Sequence, residues 1–174
     1  MIGMQMDEVE FLEKVRETQM LLPTITKVWH QAIQQHLNEH GSGLSGLQFG
    51  LLRMINLEPL TSSELSRKFQ VDPSTLVPTV NGLEKRGLIV RTRDTNDRRR
   101  QPLYLTEQGA ELIKSIPFPV ENNDLTDSLR KMGPEKTEQL RLLLREVISG
   151  VPNGERMLSE LQDRLENHRN FEKC

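Results

Sequence analysis

The sequence predicts a mainly α-helical fold with a single small β-hairpin, and three observations carry that prediction. Two short helices, each with its own start signal, follow one another between Thr61 and Arg86. After Gly87 the apolar period drops from helical spacing to alternation, as in a strand. On both sides of this stretch, apolar residues recur at steps of three and four, the mark of amphipathic helices.

Taken in order, residues 7–39 carry Phe11, Val15, Leu22, Ile25, Trp29, Ala32, Ile33 and Leu37 at helical spacing. Pro23 interrupts the run, which predicts a kinked helix or a new helix opening near Leu22. Gly41 and Gly43 mark a loop. Ser45 and Gln48 then have the spacing of a capping box, with Leu44 and Phe49 placed to close a hydrophobic staple. That helix runs through Leu51, Leu52, Met54 and Ile55 and stops before Pro59.

The same device repeats with Thr61 and Glu64 as the box and Leu60 and Leu65 as the staple, opening a helix over 62–69. Gln70 and Val71 make the turn. Asp72 caps a further helix whose first residue is Pro73 and whose end is set by Gly87 as a left-handed residue. Strands follow in LIVRTRD and QPLYL, with Leu88, Val90 and Thr92 on one side of the first and a polar tip, TNDRRR, between them. Pro102 confines the second strand to an edge or leaves one bond unmade. Thr106 caps the next helix, and prolines at 117 and 119 break the pattern. Helical spacing resumes with Leu125, Leu129 and Met132, pauses at Gly133-Pro134, and continues through Leu140, Leu143, Leu144, Val147 and Ile148. After the linker Val151-Pro152-Asn153-Gly154, residues 155–171 form one more amphipathic face.

Composition fits such a fold and narrows its setting. The chain has 174 residues, 35% hydrophobic and 28% charged, with few aromatics, and is long enough to bury a core. No apolar run approaches a membrane span, and the start has no signal-peptide core. The single cysteine, Cys174, cannot form a disulfide within the chain, so a cytoplasmic location is expected. Net charge is −2, yet residues 61–105 hold nine basic against five acidic side chains, a local excess of four positive charges. Positive charge gathered on a helix-turn-helix and hairpin suits a phosphate-binding face.

On the helix over 73–86, Leu76, Val80 and Leu83 form the buried stripe. Ser74, Pro78, Asn81 and Lys85 lie opposite, with Thr75 and Thr79 flanking. Hydroxyls and an amide can meet base edges or phosphates, while Lys85 and Arg86 are placed to reach the DNA backbone. A solvated helix surface carries residues of the same kinds. Pro78 removes a backbone bond from the helix interior and should bend it. The tip is sharper evidence, because Arg98, Arg99 and Arg100 repel one another and folding alone does not ask for them. An arginine fits a narrow minor groove, and Asp97 is spaced to hold Arg99 in a bidentate pair.

These motifs together resemble the MarR family of transcription regulators. The resemblance lies in LTSSELSRKF, VDPSTLVPTVNGLEKRGLI, the D-R-R of Asp97–Arg99 and LTEQG at 105–109, with weaker similarity along nearly the whole chain. It implies a winged helix-turn-helix core with a helical dimerisation region. The regions would be an N-terminal dimerisation helix over 1–40, the DNA-binding unit over 44–105, further dimerisation helices over 106–150 and a C-terminal extension over 151–174. It also implies a homodimer on double-stranded DNA, with the recognition helix (Ser74, Thr75, Pro78, Thr79, Asn81, Lys85) in the major groove. The wing (Asp97, Arg98, Arg99, Arg100) would enter the minor groove.

A repressor is expected rather than an activator, and a non-enzyme with no cofactor. An apolar effector pocket for a small aromatic or amphipathic molecule is a further family trait. Two departures stand out. Many relatives have arginine where this chain has Pro78, although the hydroperoxide-sensing branch shares the proline. That branch senses oxidant through an N-terminal cysteine, and the N-terminal region here has none. The segment after Gly150 is also longer than usual for the family.

Two rivals come from other classes. One is a winged-helix protein-interaction module without specific DNA binding. The other is a metal-responsive sensor or enzyme built on His30, His36 and His40, of which His36 and His40 have the i, i+4 spacing of a metal pair.

Overall fold

The most apolar helix, Gly46–Leu57, lies at the centre of the fold's first unit. Four of its twelve residues, Phe49, Leu51, Leu52 and Ile55, are buried. The structure is a computed structural model that describes residues 7–93, 100–117 and 123–171. It divides into two units, residues 1–125 and 126–174, each described by itself.

In the first unit the order is α1 (Glu8–Glu39), α2 (Gly46–Leu57), α3 (Ser62–Phe69), α4 (Pro73–Lys85), β1 (Ile89–Arg91), β2 (Leu103–Leu105) and α5 (Glu107–Ser115). Helix α1 continues through Pro23 and does not restart there. Its only fully buried residue is Leu37, and the apolar residues Phe11, Leu22 and Ile25 are exposed. Both capping boxes form. The Ser45 hydroxyl accepts from the Gln48 N–H at 3.2 Å, and the Ser45 N–H donates to Gln48 Oε1 at 2.9 Å. Both staple pairs are buried with the core.

The turn between α3 and α4 is closed by a left-handed Gln70 (φ 52°) and by the Ser66 hydroxyl, which donates to the Val71 carbonyl at 2.6 Å. Asp72 holds the expected cap position, but its side chain makes no capping bond. Pro73 at the first helical position has no N–H to satisfy, which lessens the need for that bond. At the far end Gly87 (φ 71°) donates to the Glu84 carbonyl and Leu88 N–H to the Leu83 carbonyl, the paired bonds of a Schellman stop.

The strands pair antiparallel, with Ile89 opposite Leu105, Val90 opposite Tyr104 and Arg91 opposite Leu103. Leu103 N–H also donates to the Leu60 carbonyl at 2.9 Å, so the chain before α3 borders the second edge of β2. Leu88 is buried but Val90 and Thr92 are exposed. The inward strand residue is Ile89, which corrects the face expected from alternation. Leu88 belongs to the helix stop, so the strand period begins one residue later. At the base of the hairpin, the Thr106 hydroxyl donates to the Gly87 carbonyl at 2.6 Å and accepts from the Gly109 N–H at 3.1 Å. A Cβ on Gly109 would lie 2.0 Å from the Leu88 carbonyl oxygen, so only glycine allows this approach.

The second unit holds α7 (Pro134–Ser149), α8 (Gly154–Phe171) and all but the first two residues of α6 (Asp124–Met132). Helices α7 and α8 pack as a hairpin. Its turn uses a left-handed Asn153 (φ 64°) and a buried Gly154, whose Cβ would lie 1.8 Å from the Ile148 carbonyl oxygen. Leu143, Leu144, Val147, Leu161 and Leu165 on these helices, and Val151 in the turn, remain exposed. Among the described residues, no helix is long and apolar enough to cross a membrane.

Candidate nucleic-acid interface

Helix α4 is two-sided. Leu76, Val80 and Leu83 are at most 1% exposed and fix the helix against α2 and α3. Ser74, Thr75, Pro78, Asn81 and Lys85 are exposed, and Thr79 is half-buried. The site residues expected on this helix therefore share an outward surface. Val77 joins them at 43% exposure. A search for polar side chains passes over it, although an apolar side chain on a reading helix can meet a thymine methyl.

Pro78 lies inside an unbroken α4. It has no N–H to give the Ser74 carbonyl, one turn back, so that acceptor loses its usual helical partner. The Thr79 hydroxyl donates to the neighbouring Thr75 carbonyl at 2.8 Å.

Three arginines tie the helix-turn-helix, the hairpin and their flanking loop together. Arg86 donates through Nη1 to the Gly43 carbonyl at 2.9 Å and through Nη2 to the Ser42 carbonyl at 3.0 Å. It thus pins the end of α4 to the loop before α2, a framework role in place of the expected reach toward the DNA backbone. Arg91, the last residue of β1, donates to Asn81 Oδ1, and its Nε lies 3.1 Å from Glu84 Oε2. Arg100 donates from Nη2 to Glu64 Oε1 at 2.7 Å.

Glu64 consequently serves two elements. Its other oxygen accepts from the Thr61 N–H at 2.8 Å and the Thr61 hydroxyl at 2.9 Å. The Thr61 backbone bond holds the Glu64 carboxyl below the usual glutamate range, against the opposing effect of burial. The Thr61 hydroxyl and Arg100 add to the lowering. Of the expected wing residues, Arg100 is thus held at the start of α3, while Asp97, Arg98 and Arg99 lie outside the described residues.

Two of the N-terminal histidines bond to backbone carbonyls. His36 Nε2 is 2.8 Å from the Pro117 carbonyl oxygen and so donates to it, and His40 Nδ1 donates to the His36 carbonyl at 2.9 Å. Among the described residues, no three His, Cys, Asp or Glu side chains come together as ligands would.

Two short helices meeting through a tight turn, with a β-hairpin fastened beside the second, define a winged helix-turn-helix. Residues 42–100 match the profile of the MarR family. A Thauera aromatica protein, named as a putative transcriptional regulatory protein for the hcr operon, is 37% identical over 98 residues. That match covers 56% of this chain and 59% of the relative, so the chain spans less than two thirds of that relative's length. A MarR-family transcriptional regulator from Rhodococcus sp. RHA1 superposes with a TM-score of 0.59 at 25% identity, covering 76% of this chain and 94% of that one. The fold is also that of a mutant E. coli MarR complexed with operator DNA, with a TM-score of 0.67 at 20% identity over 78% and 96% of the two chains. The MarR-family profile thus covers α2 to β1 of the winged helix-turn-helix, about a third of the chain, and the solved MarR structures share its fold.

Proposed function

We propose that this protein is a sequence-specific DNA-binding transcription regulator that acts as a homodimer. One observation carries the reading: α4 buries Leu76, Val80 and Leu83 and turns Ser74, Thr75, Val77, Pro78, Asn81 and Lys85 outward. The firmly tied hairpin beside it supplies a wing. In this reading α4 enters a major groove, and Lys85 neutralises phosphate. Asp97, Arg98 and Arg99, at the wing tip, take the flanking minor groove, with Asp97 orienting Arg99. Arg100, just before β2, is held by Glu64.

The regions 1–40 and 106–150 serve dimerisation in this proposal, with the segment after Gly150 contributing α8. The exposed apolar residues of α1 and of α7 and α8 support it, since apolar surface of that extent marks an interaction face. Two-fold symmetry calls for a pseudo-palindromic operator with half-sites about one helical turn apart, ~10 bp. Repression, relief by a small aromatic or amphipathic effector, non-enzymatic action and a cytoplasmic location complete the reading. Selection from random duplex DNA with the whole chain at near-physiological salt tests it. Recovery of a palindrome supports the proposal, and recovery of no common sequence favours an interaction module.

A further inference from the structure

Asn81 and Arg91 belong to different elements, and the contact between them has a fixed polarity. Arg91 turns its guanidinium onto the flank of α4, where Nη2 donates to Asn81 Oδ1 and Nε sits 3.1 Å from Glu84 Oε2. A guanidinium has five N–H donors and no acceptor, so the amide group that faces it is the carbonyl oxygen. The amide nitrogen is therefore turned away. Asn81 is exposed, and no described residue accepts a hydrogen bond from its Nδ2. Glu84, three residues further along the same helix, adds an ion pair with the guanidinium, its Oε2 3.1 Å from Nε. Arg91 is only 32% exposed at the side chain, which favours one orientation of this link.

We infer that Arg91 makes Asn81 a donor-only reader, selecting base edges that offer acceptors, guanine N7 and O6 above all. The inference rests on the DNA-binding reading and deepens it. A free asparagine suits adenine because its amide offers an acceptor to the N6 amino group and a donor to N7. Here the bond from Arg91 holds Oδ1 toward the hairpin, and the two N–H donors of Nδ2 are turned the other way. Guanine can accept from them at N7 and O6, whereas adenine presents its N6 amino group without an acceptor to meet it. Arg91 is a positioning residue, acting on the base only through Asn81.

The test is selection from random duplexes with the whole chain and with Asn81→Ala, Arg91→Leu and Arg91→Lys, each checked for folding by thermal melting. The wild type should recover a site with guanine at one base pair per half-site, a preference that Asn81→Ala loses there and nowhere else. Replacing that guanine with 7-deazaguanine should weaken wild-type binding about tenfold and leave Asn81→Ala unaffected. Arg91→Leu frees the amide oxygen and should move the preference toward adenine, while Arg91→Lys, which keeps a donor, should retain guanine. If Arg91→Leu fails to fold, the Asn81→Ala and 7-deazaguanine arms still decide. Adenine at the Asn81-dependent pair in the wild type, or unchanged base preferences in Asn81→Ala, overturns the inference while leaving DNA recognition intact. Recovery of no site from the wild type overturns both.

Discussion

Arg100 and Glu64 lie 2.7 Å apart across 36 residues of sequence, joining the chain that leads into β2 to the first turn of α3. One carboxylate oxygen receives Arg100 and the other completes the capping box with Thr61. The start of the helix-turn-helix and the segment entering β2 are thus linked by one side chain. Glu64→Ala should destabilise the first unit by about 1 kcal/mol, the usual cost of losing a capping interaction. Glu64→Gln keeps an acceptor for Thr61 and should cost less. Chemical denaturation of the two variants checks the order.

The same pair sets a pH dependence. Because the folded Glu64 carboxyl titrates below its unfolded value, its contribution is complete above the unfolded pKa and is lost as pH falls through the folded one. The stability gap between wild type and Glu64→Gln should therefore be constant near neutrality and close in the acid range. A gap that widened on acidification would contradict the assignment.

Two basic neighbours at the end of α4 should behave differently. Arg86→Ala removes the bonds to Ser42 and Gly43 and should lower the melting temperature. Lys85→Ala should leave melting unchanged and reduce the salt slope of DNA binding by about one. Melting curves and a salt titration of binding separate the two roles.

Glycine substitutions give a second contrast. Gly109→Ala places a methyl 2.0 Å from the Leu88 carbonyl oxygen and should destabilise by about 1–3 kcal/mol or more. At Gly82, inside α4, an added Cβ meets nothing within 4 Å, so Gly82→Ala should stabilise by roughly 0.5–1 kcal/mol. Denaturant midpoints of the two variants should move in opposite directions.

Dimerisation through the second unit has its own test. Leu143 and Val147 are 59% and 60% exposed, one turn apart on α7. If that face pairs two copies, Leu143→Asp with Val147→Asp should convert the sedimenting species from dimer to monomer without loss of helix content. An unchanged dimer would move the interface elsewhere.

The starts and stops of the helices are legible in the sequence because each is local. Ser45 with Gln48, Thr61 with Glu64 and Gly87 all act within a few residues of the helix end they define. The buried stripe of α4 is legible for the same reason, from spacing alone. What spacing cannot show are the ties between distant residues: Arg86 to a loop 43 and 44 residues earlier, Arg100 to Glu64, and Arg91 across to Asn81. A basic side chain near a reading helix looks like a phosphate contact until its partner is known. Arg86 has that look in the sequence, and the folded chain uses it to hold the loop.

The central claim is that α4 and its wing read a specific duplex sequence. The measurement that tests it most directly is selection of bound sequences from random duplex DNA by the purified chain near physiological salt. The account predicts a pseudo-palindrome with half-sites about one helical turn apart. Binding that tracks total phosphate and yields no common sequence would contradict it.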